Sequence, residues 1–263
     1  MAAAVVIGFF EFIFMRERPG APMEQYADAF EDAFHDEETV RSIFTKSTQL
    51  GRSLVREESL PANVEILSWE RASEVVSNAD AVAVSLCPCR HEAQLRGAGC
   101  DAPLRTCLTF GTGAETLTRH GIAEAITNDE AMAILEQAKA EGLAQTADNV
   151  QEGVSYMCNC CGCCCGMMRS IKEFDIYHGI VPSNWIATID HSKCRGCAKC
   201  AKACPVDAIT VESSEGKGLR KNWAILDETR CLGCGVCYEA CRWDAHGMQL
   251  RGEAPHIPAD TFE

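Results

Sequence analysis

Cys194-Arg-Gly-Cys197-Ala-Lys-Cys200-Ala-Lys-Ala-Cys204 and Cys231-Leu-Gly-Cys234-Gly-Val-Cys237-Tyr-Glu-Ala-Cys241 are two copies of one pattern, Cys-x2-Cys-x2-Cys-x3-Cys. Three thiolates two residues apart let a short loop wrap one corner of an iron–sulfur cube. The fourth, three residues on, points away and reaches a second cube. The spacing therefore predicts crossed ligation. One [4Fe–4S] cluster takes Cys194, Cys197, Cys200 and Cys241, and the other takes Cys204, Cys231, Cys234 and Cys237. Zinc is the rival for such cysteines, but its sites pair Cys-x2-4-Cys units across a spacer. Two unbroken four-cysteine runs argue against it.

The repeat extends outward. Trp185-Ile-Ala-Thr-Ile-Asp190 precedes the first run and Trp223-Ala-Ile-Leu-Asp227 the second, each ending in an Asp four residues before the first cysteine. Pro205-Val-Asp-Ala-Ile209 follows Cys204. Residues 185–250 thus resemble the bacterial two-cluster ferredoxin domain. One position departs from that pattern: Arg242 follows the last cysteine where proline is expected, within Cys241-Arg-Trp-Asp-Ala-His246. A tolerated turn substitution, an altered cluster potential and a docking surface all fit it.

Ten of the 18 cysteines remain, all upstream of residue 166. Cys87 and Cys89 lie in Cys-Pro-Cys-Arg90, and Cys100 and Cys107 in Cys-Asp-Ala-Pro-Leu-Arg-Thr-Cys. Cys158, Cys160, Cys161, Cys163, Cys164 and Cys165 crowd Cys-Asn-Cys-Cys-Gly-Cys-Cys-Cys. Cysteines used as small core residues would be scattered at periodic positions, so this density points to metal. Successive side chains diverge in most backbone conformations, so the six-cysteine loop is expected to serve two sites. Four upstream cysteines plus four of these six would complete two more cubanes and leave two thiols over. One cubane plus a less regular site, with an open iron position, is the alternative. Arg90, His91, Arg96, Arg105, Arg119 and His120 flank these cysteines. They either offset cluster charge, admit an anion, or are ordinary surface charge.

These motifs, with Phe110-Gly111, resemble the cysteine-rich region of multi-cluster ferredoxin-like proteins of anaerobes, from about residue 4 to 250. The resemblance implies electron transfer and names no substrate. Longer relatives carry a further N-terminal helical segment, and this chain is expected to start at or after its end.

Composition sets the outer bounds. A formal charge of −14 argues against nucleic acid, which needs a basic patch, and favours redox partners with a basic docking face. Residues 2–15 are too short for a span, contain Glu11 and lack a positive n-region, so a buried segment is expected. Eighteen cysteines without an export signal indicate a reducing cytoplasm and metal ligation, not disulfides. Oxygen-sensitive clusters suggest an anaerobe.

Elsewhere, Tyr26, Phe30 and Phe34 predict a helix over 23–35 with one aromatic face, and its acidic residues read as a solvated face. A second helix is expected over 39–50. Val64–Leu67 and Ala81–Leu86 read as extended, with a helix from about Trp69 to Val76 between them. Thr127-Asn-Asp-Glu130 is a capping box that starts a helix ending near Gly142. The expected fold is α+β: a mostly helical cysteine-rich domain over 1–180, a two-cluster ferredoxin-like domain over 181–252, and a tail at 253–263 with little to pack. No phosphate-cradling loop, dinucleotide fingerprint or Ser/His/Asp nucleophile set is present.

The function this predicts is a multi-cluster electron carrier, or an electron-wire subunit of a larger cytoplasmic oxidoreductase, without catalysis of its own. The alternatives are a reductase with a substrate-accessible N-terminal cluster and a cluster-based redox sensor. The expected cofactors are two [4Fe–4S] clusters downstream and one or two further iron–sulfur clusters upstream.

Overall fold

Six strands form one antiparallel sheet in the N-terminal half: β1 (Gly51–Ser53), β2 (Val82–Leu86), β3 (Arg105–Phe110), β4 (Glu124–Ile126), β5 (Ala144–Asp148) and β6 (Tyr156–Cys160), in the order β1-β5-β6-β3-β2-β4. The computed structural model describes residues 10–45, 49–62, 64–177, 179–213 and 222–260. The expectation of a mostly helical N-terminal domain is therefore corrected: it is a sheet domain with helices packed around it. Periodicity failed here because the central strands bury polar side chains. Gln145 and Asn159 face each other in register, Gln145 Nε2 donates to Asn159 Oδ1 at 3.1 Å, and Asn159 Nδ2 donates to the Thr106 carbonyl at 2.9 Å. Satisfied amides can be buried without the apolar alternation that marks a strand in sequence.

The helices follow the sequence more closely. Met23–His35 is helical, but Met23 and Ala27 are its buried residues and Tyr26 is exposed. Phe30 meets Phe10 and Phe14 edge-on, and Phe34 meets Phe174. The next helix, Glu37–Phe44, starts two residues earlier than expected because Asp36 caps it by accepting from the Thr39 amide, and it ends at Phe44. Thr127 and Glu130 form the complete capping box of Asn128–Ala140, and Gly142 takes the left-handed position after that helix. β2 falls within the extended segment foreseen at Ala81–Leu86, whereas 64–67 is not a strand. Trp69 lies in a 3-10 turn before the helix Ala72–Ser77.

In the apolar N-terminal segment, residues 10–14 are helical and Phe14 is fully buried. Positions 1–9 lie outside the described residues, among which no helix is long and apolar enough to cross a membrane.

The C-terminal half has two-fold internal likeness. β7 (Trp185–Ile189) pairs with β10 (His246–Leu250), and β8 (Ile209–Ser213) pairs with β9 (Asn222–Leu226). Asp190 accepts from the Ser192 amide and hydroxyl, and Asp227 does the same for Thr229. The repeated Asp thus turns the chain out of each strand into its cysteine loop. The Asp190 amide donates to the Ala245 carbonyl and the Asp227 amide to the Ala208 carbonyl, so each turn is tied to the other repeat.

The two halves share one apolar core. Cys160, Cys165, Met168 and Ile180 pack in the same cluster as Trp185, Val206, Leu232 and Met248. Val181 exchanges backbone hydrogen bonds with Gly51 and Ser53, at 3.0 and 2.8 Å. The tail is also tied down: Ile257 is buried, and the Gln151 and Glu152 amides donate to the Pro258 and Ala259 carbonyls, both at 2.9 Å.

Candidate functional site

The eight downstream cysteines line two separate cavities. Cys204, Cys231, Cys234 and Cys237 share one with Val206, Ile209 and Leu226, and Cys194, Cys197, Cys200 and Cys241 share the other with Ala224, Trp243 and His246. In each, three thiols come from one loop and the fourth from the other repeat. Backbone amides already point at these sulfurs. Gly196 and Ala224 donate to Cys194 Sγ at 3.5 and 3.4 Å, and Ala208 donates to Cys204 Sγ at 3.2 Å. Burial pushes Cys234 up to about 12 and Cys237 well above the ordinary thiol range, so neither is a comfortable thiolate by itself. A metal changes that balance, because it binds the deprotonated sulfur. Amide donors around apolar-walled thiol quartets fit iron–sulfur clusters.

Sequence reasoning missed Arg56, which is fully buried. Its guanidinium pairs with Glu239 and donates to the Lys139 and Leu143 carbonyls at 3.1 and 2.8 Å, and its amide donates to the Cys234 carbonyl at 3.1 Å. It therefore brings a cation from the N-terminal half against the loop that carries Cys234 and Cys237. Nothing in the sequence separates Arg56 from a surface arginine.

The other ten cysteines fall into two groups. Cys100, Cys161, Cys163 and Cys164 converge, with all four sulfurs within 4.8 Å of one another. The remaining six form a chain of neighbours. Register pairing of Leu108 with Met157 sets Cys107 beside Cys158, and Cys158 and Cys160 lie on one face of β6 two residues apart. Cys158 is within hydrogen-bond reach of Cys107 and Cys160, Cys160 of Cys165, Cys165 of Cys89, and Cys89 of Cys87. The six-cysteine loop thus sends Cys161, Cys163 and Cys164 one way and Cys158, Cys160 and Cys165 the other. Upstream cysteines join both groups: Cys100 joins the four, and Cys87, Cys89 and Cys107 join the six.

Local structure explains the six-cysteine nest. Cys87 and Cys165 are the N-cap residues of Pro88–Leu95 and Gly166–Phe174. Their sulfurs face the amides of Arg90 and Met168, where a helix N-terminus favours negative charge. Cys158 donates to Cys107 and Cys160, which holds its own pKa up and draws theirs down, that of Cys160 to about 6. Thr146 Oγ1 lies 3.4 Å from Cys160 Sγ.

Of the flanking cations, only Arg90 reaches a thiol. It is fully buried, and Nη1 donates to the Asn159 carbonyl at 2.9 Å and toward Cys161 Sγ at 3.8 Å. His91 bonds the Phe14 carbonyl, Arg96 pairs with Glu31 and Glu92, and Arg105 pairs with Glu124. Those are structural or surface contacts.

Residues 193–245 match the family model of the 4Fe-4S dicluster domain. The match covers less than half of the chain, and it contains all eight cysteines of the two repeats. No curated protein matches the chain. A dicluster domain, together with this many cysteines, supports an iron–sulfur electron-transfer role.

Proposed function

We propose that this protein conducts electrons through several iron–sulfur clusters, as a soluble cytoplasmic carrier or as the wire subunit of a larger oxidoreductase in an anaerobe. Cys194, Cys197, Cys200 and Cys241 hold one [4Fe–4S] cluster, and Cys204, Cys231, Cys234 and Cys237 hold the other. At least one further cluster occupies the upstream nest of Cys87, Cys89, Cys107, Cys158, Cys160 and Cys165. When bound, the clusters supply one-electron redox centres. The protein's own residues position the thiolates, donate amide hydrogens to sulfur and keep water out.

The observation that supports this reading best is the contact between the metal-bearing regions. Gly162, inside the six-cysteine loop, packs against Pro205, the residue after Cys204. Cys237 also feels the charge of Cys200, its neighbour in the other downstream quartet. Redox groups close enough to interact form a path with two ends, and the −14 charge suits a basic partner at either.

Anaerobic purification with iron and sulfide quantitation tests the reading. Cys204→Ser should remove the signal of the cluster shared with the Cys231 run and spare that of the Cys194 run. Loss of the Cys194 cluster alone would overturn the crossed ligation.

One feature favours a second reading, in which the upstream cluster reduces a small molecule. A cavity of about 300 Å³ opens beside the six-cysteine nest, walled by Phe30, Phe34, Val40 and Ile43 on one side and by Cys87, Cys89, Cys158, Cys160 and Cys165 on the other. Glu11 lines it, its pKa pushed up to about 6 by burial. Substrate-dependent turnover by the isolated chain, or a ligand-dependent change in the electron paramagnetic resonance (EPR) spectrum, would select this reading over a pure conduit.

A further inference from the structure

We infer that Cys100, Cys161, Cys163 and Cys164 bind a single tetrahedral transition-metal ion, zinc or iron, in place of a second upstream cluster. The inference rests on the proposal that the other cysteines hold clusters.

Separation of the sulfurs carries it. Cys100 and Cys161 are 3.7 Å apart and Cys163 and Cys164 are 3.6 Å apart. One ion with metal–sulfur bonds of about 2.3 Å at tetrahedral angles sets its four sulfurs about 3.8 Å apart. A cubane needs a wider frame, because each of its thiolates binds a different iron at a different corner of the cube. The protein provides its own comparison. Among the described residues, no other three metal-ligating side chains approach so closely, and that includes both downstream quartets. The cysteines matched to a 4Fe-4S domain are spread apart, and this quartet is drawn together.

The chemistry of the site agrees. Four thiolates around a divalent ion leave a net charge of about −2, and the buried Arg90 guanidinium faces Cys161 Sγ to offset part of it. An all-thiolate tetrahedron without an open position is a closed, structural site for zinc or iron. The ion would tie the loop carrying Cys100 to the loop carrying Cys161–Cys164. The second loop is already held from below, since Lys172 Nζ donates to the Gly162 carbonyl at 3.3 Å and pairs with Asp207 at 3.3 Å. The ion would therefore fix the segment that packs on Pro205.

X-ray absorption on the full-length protein, purified anaerobically, decides the question without mutation. One zinc per chain with four sulfur neighbours and no metal neighbour is the expected result. One iron in a mononuclear tetrathiolate EPR state would support the same geometry. Cys100→Ser and Cys163→Ser, in separate loops, should each lower that metal to near zero and leave inorganic sulfide and cluster EPR signals unchanged. Loss of iron and sulfide in equal amounts in either variant would show a cubane and overturn the inference. Wild-type protein with clusters but no mononuclear ion would overturn it equally. Absence of inorganic sulfide altogether would instead sink the electron-transfer proposal, so the two failures are distinguishable.

Discussion

Gly162 lies against the Pro205 peptide so closely that a Cβ on Gly162 would overlap the carbonyl and Cα of Pro205. One glycine thus joins the upstream cysteine loop to the residue after Cys204. Both sides of the contact are backbone, so neither can rotate away.

Gly162→Ala should therefore force the two loops apart. Overpacking of this kind costs about 1–3 kcal/mol. Thermal unfolding followed by cluster absorbance should show a lower midpoint, and electron exchange between upstream and downstream clusters should slow. An unchanged midpoint and exchange rate would remove this contact from the electron path.

Arg56→Met should destabilise the joint between the halves by about 2–4 kcal/mol, because buried carbonyl acceptors lose their donor. The carbonyls are those of Lys139 and Leu143. Glu239 is partly exposed and a glutamine there keeps an oxygen acceptor for the guanidinium, so Glu239→Gln should cost less than Arg56→Met. Anaerobic urea unfolding of both variants gives the comparison, and equal losses would contradict it.

Ala198 and Gly235 occupy the same place in the two cysteine runs, and both are left-handed, at φ 62 and 82. An L-residue there costs about 1–2 kcal/mol, against about 0.4–1 kcal/mol of extra unfolded-state entropy for glycine. Ala198→Gly should thus stabilise the first run by roughly 0.5–1 kcal/mol on those two figures. Gly235→Ala should destabilise the second by more, because its Cβ would also crowd Ser59 Oγ. Denaturation midpoints moving the other way would refute the assignment.

Glu31 accepts from Arg169 at 2.8 and 3.0 Å and pairs with Arg96 at 3.1 Å. Burial opposes its ionisation, yet the Arg169 and Arg96 guanidiniums hold the carboxyl below its usual range. A depressed folded pKa contributes stability that is present above the unfolded carboxylate pKa and lost as pH falls through the folded one. Glu31→Gln should loosen the Met23–His35 helix at neutral pH, with the gap to wild type closing as pH falls below the ordinary carboxylate range. Limited proteolysis across pH would register this, and a pH-independent gap would count against it.

Electron transfer to a basic partner should slow as ionic strength rises, because exposed charges are screened over about 8–10 Å at physiological salt. A salt-independent rate would indicate a permanent complex held by apolar burial.

Much of the downstream half was legible in the amino-acid order. Three cysteines of each quartet are set by spacings of two residues within one loop, and the Asp190 and Asp227 turns and the Thr127 capping box are equally local. Such features need only neighbours in the chain. The six-stranded sheet was not legible, because β5 and β6 bury Gln145 and Asn159 against each other and so erase the alternation that betrays a strand. Nor was the division of the upstream thiols. Whether Cys160 and Cys161 face the same metal depends on where β6 ends and the loop turns, and on Cys100 and Cys107 arriving from a segment far away in sequence. Residue type and density led to the expectation of metal there. Only the tertiary structure, by setting four sulfurs within 4.8 Å and stringing the other six along β6 and two helix N-termini, decided how the thiols are shared.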